Sequence, residues 1–125
     1  FQLLYHLDLT KGDAESETSH FWRINEDKSA LRPFAEQLVG RVLANLMDID
    51  RVISEASKRW TIKRMDSVSR CLLRLGACEI LHFSDTPPEV AINEAVELAK
   101  RFGSEDTPSF INGILDRLHQ KETHV

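Results

Sequence analysis

The sequence has little of what would place it in a membrane, outside the cell or among enzymes. No stretch approaches the roughly 18 consecutive apolar residues of a membrane span, and no secretory signal peptide is visible, so we expect a soluble, cytoplasmic protein. Its five glycines form no phosphate-binding loop, and its five histidines show no metal-binding spacing. No Ser/His or Cys/His grouping stands out either. The sequence therefore predicts neither an enzyme nor a cofactor.

Cysteine is scarce as well. Cys71 and Cys78 stand seven residues apart in what reads as one helix, which separates them by about two turns or roughly 10 Å. A disulfide requires Cα atoms within about 7 Å of each other. We therefore interpret both as reduced core residues, which is typical of a cytoplasmic protein.

The composition is that of an ordinary globular domain, but the charge is unevenly distributed. Of the 125 residues 42% are hydrophobic and 29% charged, and the net charge is −4. Residues 58–74 carry six basic side chains, including Arg59, against Asp66 alone, so this run has a charge of +5 and the remainder −9. Such a run can follow a phosphate backbone, or it can be a solvated face that balances an acidic body. We interpret Trp60, which lies inside the run, as an anchor in the core.

Apolar residues at helical spacing predict helices throughout and no strand. The chain begins inside a helix, and the polar residues 10–20 are predicted to be an exposed loop. Further helices are predicted to run from Leu31–Pro33 to Met47, after Asp48 or Asp50, from Asp66 to Phe83, and from Pro88 to Phe102. Thr107 is predicted to cap the last helix, with Pro108 at its first position. We expect one all-α bundle of six to seven helices over residues 1–125.

Two segments near the C-terminus resemble a known signature. They are Val-Ala-Ile-Asn-Glu-Ala-Val-Glu-Leu-Ala-Lys-Arg-Phe-Gly-Ser-Glu-Asp at 90–106 and Phe-Ile-Asn-Gly-Ile-Leu-Asp at 110–116. Together they resemble the signature of the NusB family of transcription antitermination factors. Residues 2–5 and 70–80 resemble the family's first and central helices, so the likeness covers most of the chain. It implies a fold of two three-helix subdomains that binds RNA and protein and has no catalytic centre.

The resemblance also implies partners. The family binds the boxA element of ribosomal RNA leader transcripts together with the small-subunit ribosomal protein NusE. This pair, with other Nus factors, helps to hold an elongation complex of RNA polymerase through terminators. Two alternatives stay open: the RNA-binding N-terminal domain of a ribosomal RNA cytosine methyltransferase, and a homodimeric protein-interaction module. An exposed apolar patch around Tyr5 would favour the homodimer.

Four residues are candidates for RNA binding. Asp106 and Phe110 match family positions that contact boxA RNA, and Lys100 and Arg101 would extend that surface. Each has a plainer interpretation. Phe110 could pack in the core, Asp106 could stabilise the N-terminus of the last helix, and the two cations could pair with Glu97.

Three residues, Tyr5, Ser69 and Arg70, are candidates for binding the ribosomal protein. Ser69 departs from the family pattern, because relatives usually have Asp or Glu at this position. A second departure is Thr-Pro-Ser at 107–109, where relatives often have Ser-His-Lys, so no basic RNA contact is expected from that turn. The resemblance further implies an arginine-rich arm immediately before Phe1, and we expect part of the RNA-binding apparatus to lie there.

Overall fold

In the computed structural model, which describes residues 1–10, 12–58 and 60–123, the described chain forms seven α-helices and no strand. The helices are α1 (Gln2–Thr10), α2 (Ala14–Ile24), α3 (Arg32–Ala44), α4 (Leu46–Ser57), α5 (Ser67–His82), α6 (Pro88–Phe102) and α7 (Thr107–Thr123). Short 3₁₀ segments, Glu26–Leu31 and Ile62–Arg64, lead into α3 and α5. The predicted all-α fold is confirmed. None of the described helices has the length and apolar character needed to cross a membrane.

Helix α5 is the centre of the fold. Asp66 caps its N-terminus by accepting a hydrogen bond from the Ser69 N–H at 3.1 Å. Its apolar residues cover more than one face, so it contacts α1 and α3 on one side and α4, α6 and α7 on the other. Eight of its residues are buried: Ser69, Cys71, Leu72, Leu73, Leu75, Gly76, Ala77 and Cys78. The helices α1–α3 and the helices α4, α6 and α7 thus form two groups of three around a shared wall.

The predicted loop at residues 10–20 is wrong, because α2 begins at Ala14. Asp13 caps this helix by accepting a hydrogen bond from the Ser16 N–H at 3.0 Å. Glu15 and Glu17 in the first turn interact favourably with the helix dipole. Only Trp22 is buried, so the helix is almost wholly polar and resembles a loop in composition.

Both cysteines lie in the core as predicted. Cys71 and Cys78 are free and fully buried. Burial raises the pKa of each thiol to about 11, so both stay protonated near neutral pH.

The turn between α6 and α7 is tightly packed. Its first main-chain hydrogen bond runs from the Phe110 N–H to the Asp106 carbonyl at 3.2 Å, which places Asp106 at the N-cap position. The prediction that Thr107 is the cap is therefore wrong. Thr107 is buried instead, and its hydroxyl oxygen accepts from the Ser104 N–H at 2.9 Å. A Cβ at Gly103 would lie 2.6 Å from Cβ of Thr107, so close packing explains this glycine.

Candidate nucleic-acid interface

A cavity of about 180 Å³ opens where the turn before α7 meets the segment between α4 and α5. Its lining includes Asp106 and Phe110, both predicted to contact RNA, together with residues of the basic run. The full lining is Trp60, Arg64, Met65, Asp66, Ser69, Ser104, Asp106, Thr107 and Phe110. Two predicted RNA contacts thus lie in one concave site, and the fold brings them to residues at least 37 positions earlier in the chain.

Two aromatic side chains form a corner of this cavity. The ring centroids of Trp60 and Phe110 are 6.0 Å apart, and their planes meet at 82°. Trp60 is 51% exposed, so its interpretation as a core anchor is wrong. Phe110 is partly buried and packs against the core on its other side. Phe110 therefore combines the two roles that its sequence position suggested.

The main chain holds Trp60 in this exposed position. Helix α4 ends at Ser57, and the positive φ of 55° at Lys58 turns the chain away from the helix axis. The buried Ser57 hydroxyl then donates a hydrogen bond of 2.6 Å to the Trp60 carbonyl. Because this bond is made to the main chain, it does not depend on the indole side chain.

Two carboxylates line the cavity and differ in their surroundings. Asp66 accepts hydrogen bonds from the hydroxyl and the N–H of Ser69, at 2.7 and 3.1 Å. The Asp106 carboxylate is exposed and accepts no hydrogen bond from the described part of the chain. A carboxylate repels phosphate but can accept from a base amino group, such as N4 of cytosine. Asp106 is thus free to read the edge of a base.

The basic run divides into two parts with different roles. Lys58, Lys63 and Arg64 are exposed and form no ion pair within the described residues, and Arg59 lies outside the described residues. Arg70 and Arg74, in contrast, have side chains only 17% and 13% exposed and are paired with carboxylates of other helices. Only the first part of the run is available to a phosphate backbone.

Lys100 and Arg101 lie in the last turn of α6 and do not line the cavity. Lys100 pairs with Glu97 at 3.1 Å, and both side chains are exposed. The Arg101 guanidinium lies 5.2 Å from the ring centre of Phe102. Both cations are exposed and carry only weak intramolecular contacts, so both can still meet a ligand beside the cavity.

The three residues predicted to bind the ribosomal protein are not equally accessible. Tyr5 is partly exposed, and its ring stacks on Phe1 with centroids 5.7 Å apart. Arg70 donates hydrogen bonds to Asp8 and to the carbonyls of Ile62 and Met65. Ser69 is 2% exposed and lines the cavity. Tyr5 is the one of the three whose side chain has no polar partner to give up.

Comparison with known proteins identifies the family. The family model for the NusB family matches residues 1–120. The chain belongs to the NusB family. It is 45% identical over 118 residues to the transcription antitermination protein NusB of Geobacter sulfurreducens, a match that covers 94% of this chain and 86% of the relative.

The fold agrees with solved structures of NusB proteins. NusB of T. maritima superposes with a TM-score of 0.84 at 35% identity, over 96% of this chain and 84% of that one. A second structure contains the antitermination factors NusB and NusE in complex with dsRNA. One of its chains shares the fold with a TM-score of 0.82 at 24% identity, over 95% of this chain and 89% of that one.

Membership of the NusB family excludes the enzyme interpretation. The relatives are named transcription antitermination proteins, and this NusB chain is likewise not an enzyme. The match to most of a NusB relative's length also favours a NusB protein over the methyltransferase domain. In the described part of the chain, no group of three or more His, Cys, Asp or Glu side chains is placed to hold a metal ion.

The sequence did not point to Trp60, Arg64 or Ser104 as parts of the site. Trp60 and Arg64 had signals that could have been used, because they stand in a run of uncompensated positive charge. An aromatic residue between cations is a known feature of surfaces that bind single-stranded nucleic acid. Whether the ring faces solvent or the core depends on the turn at Lys58, which has no such signal.

Proposed function

We propose that this NusB chain is a transcription antitermination factor that binds boxA RNA together with NusE and so supports processive elongation by RNA polymerase. Its relatives carry the name of this function, and a chain of the same fold is known in a complex of NusB, NusE and dsRNA. The observation that carries the RNA-binding part is the cavity, which joins Asp106 and Phe110 to an exposed indole and unpaired cations.

The surface has the parts that an unpaired stretch of RNA requires. Its aromatic corner can stack a splayed base, and the free Asp106 carboxylate can accept from an amino group on a base edge. Lys58, Lys63 and Arg64 can contact phosphates without first breaking an ion pair. Lys100 and Arg101 would extend the surface from the end of α6.

Phe110→Ala should weaken binding of a boxA-like RNA by about 5- to 100-fold, because loss of an aromatic stacking partner costs about 1–3 kcal/mol. Fluorescence anisotropy with labelled RNA, in the presence of NusE and at two salt concentrations, measures the effect. Phe34→Ala is the matched control, since Phe34 is 67% exposed on α3 and does not line the cavity. Circular dichroism checks that both variants are folded. Equal affinity for wild type and Phe110→Ala would remove Phe110 from the RNA surface.

The NusE interface is proposed to include Tyr5, with Ser69 and Arg70 as further contacts. Tyr5→Ala should weaken NusE binding by at least about 5-fold, since truncating a buried interface aromatic commonly costs more than 1 kcal/mol. Isothermal titration calorimetry with purified NusE measures this. Leu9→Ala, a change of a 56% exposed residue on the same helix, should have little effect. If both variants bind NusE as tightly as the wild type, the interface lies elsewhere.

The wider assembly is part of the same proposal. We propose that the chain joins an RNA polymerase elongation complex with other Nus factors in the cytoplasm. A homodimer that covers the RNA surface is the alternative assembly, and exposed apolar side chains at Ile24, Leu31 and Phe34 favour it. Sedimentation of the chain with and without NusE and RNA separates the two assemblies by mass.

A further inference from the structure

We propose that Trp60 and Arg64 are RNA-binding residues, with Trp60 providing the face on which an unpaired base stacks and Arg64 holding the adjacent phosphate. This inference rests on the proposed RNA-binding function. It adds two residues that the family resemblance does not assign. It also gives the cavity one occupant, a single nucleotide of an unpaired strand.

The geometry of the aromatic corner selects Trp60 as the stacking surface. Because the two ring planes meet at 82°, a base that lies flat on one ring meets the other ring at its edge and is not sandwiched. Phe110 is partly buried against the core, whereas the Trp60 indole is 51% exposed and has a free face. The base therefore lies on the indole, and the Phe110 ring closes the side of the cavity.

The polar groups around this corner match the remaining parts of a nucleotide. Arg64 lines the same cavity, is exposed and has no ion-pair partner among the described residues. Asp106, also in the lining, has a carboxylate that is free to accept a hydrogen bond. A stacking face, a free cation and a free acceptor in one small cavity fit a base and its phosphate, whereas an apolar peptide would use the rings alone. A base paired inside a duplex has no free face, so the ligand is an unpaired nucleotide.

The two tryptophans allow a direct test of stacking. Trp60→Phe leaves the buried Trp22 as the emitter, and Trp22→Phe leaves Trp60. On addition of boxA-like RNA with tryptophan-free NusE, we expect the emission of wild type and Trp22→Phe to be quenched and that of Trp60→Phe to stay nearly unchanged. If Trp22→Phe is unstable, the comparison of wild type with Trp60→Phe still answers the question. Equal quenching of these two proteins, with RNA binding confirmed by anisotropy, would overturn the role of Trp60.

Affinity measurements test both residues. Trp60→Ala should weaken RNA binding by about 5- to 100-fold, and Trp60→Phe by less because a ring remains. Met47→Ala, at a 90% exposed position away from the cavity, should have no effect. Arg64→Ala should reduce the slope of log affinity against log salt by about 0.7, the value for one lost phosphate contact on a single strand. Arg23→Ala, which removes an exposed arginine from α2, is its control.

The outcomes separate this inference from the proposed function. If wild type with NusE does not bind the RNA, the proposed function fails, and this inference fails with it. If wild type binds and Phe110→Ala loses affinity, but Trp60→Ala and Arg64→Ala retain it, only this inference is overturned. Parallel losses in the Trp60 and Arg64 variants, with unchanged thermal stability, support it.

Discussion

Asp8→Ala should lower the free energy of unfolding by about 3–5 kcal/mol, because it removes one partner of a buried ion-pair network. The Asp8 side chain on α1 is 12% exposed and accepts from Arg70 at 2.8 Å, from Arg74 at 3.4 Å and from the Ser67 hydroxyl. Arg74 keeps a second carboxylate, Asp50, at 2.9 Å. Arg70 is left without any within the described chain. Urea denaturation at neutral pH measures the change.

A matched control separates burial from charge pairing. Glu36→Ala removes a carboxylate that pairs with Arg32 at 2.9 Å, but both side chains are well exposed, at 39% and 47%. An exposed pair of this kind contributes less than about 1 kcal/mol. Similar losses for Asp8→Ala and Glu36→Ala would mean that the Asp8 network stabilises the fold no more than a surface pair does.

The pH dependence of the Asp8 effect gives a second check. Burial by itself raises the pKa of Asp8, but hydrogen bonds from Arg70 and Ser67 and the charges of Arg70 and Arg74 outweigh it and lower the pKa below 3.8. The folded state then binds fewer protons than the unfolded state. The stabilisation is complete above the unfolded pKa and is lost as pH falls through the folded value. The difference between wild type and Asp8→Ala should therefore shrink on acidification below about pH 4. A constant difference would exclude the charge of Asp8 as its cause.

The same network positions the RNA cavity. Arg70 donates to the carbonyls of Ile62 and Met65, at 3.1 and 2.9 Å. These residues flank Arg64, and Met65 lines the cavity. Arg70, predicted to contact the ribosomal protein, thus connects α1 to the segment that carries Arg64. A ligand on the α1 side of Arg70 would act on the cavity through this arginine.

The sequence predicted best those helices whose ends carry their own signals. Helix α6 runs from Pro88 to Phe102 as predicted, because a proline in its first turn and a glycine after its last residue mark both ends. Helix α2 was missed although Asp13 and the acidic first turn are start signals of the same kind. Its apolar face consists of little more than Phe21 and Trp22, too short a stripe to reveal a period.

The site could be predicted only where resemblance supplied positions. Phe110 and Asp106 come from the family pattern, and their own sequence context favoured core packing and helix capping as strongly. The pairing of Asp8 with Arg70 spans 62 residues, and no local pattern encodes which cation of a basic run turns inward. The exposure of Trp60 follows from the turn at Lys58 and the Ser57 hydrogen bond, both of which are tertiary details.

Leu115→Ala should lower the free energy of unfolding by about 2–5 kcal/mol, the range for deleting a buried leucine side chain. Leu115 is fully buried where α7 packs on α5, five residues after Phe110 on the same helix. Its partner on α5 is Gly76, where a Cβ would lie 2.7 Å from Leu115 Cδ1 and 3.2 Å from Cδ2. Gly76→Ala alone should therefore cost about 1–3 kcal/mol through overpacking, despite the better helix propensity of alanine.

Combining the two changes tests whether this contact sets the spacing of α5 and α7. The methyl group introduced at position 76 enters space that Leu115→Ala vacates, so the double variant should be more stable than the sum of the single losses by about 1 kcal/mol or more. Gly40→Ala is the control for helix propensity, because a Cβ there meets nothing within 4 Å and should stabilise α3 by up to about 1 kcal/mol. Additive losses at positions 76 and 115 would mean that α7 shifts freely on α5. Phe110 could not then be held at a fixed position against Trp60, since α7 positions its ring.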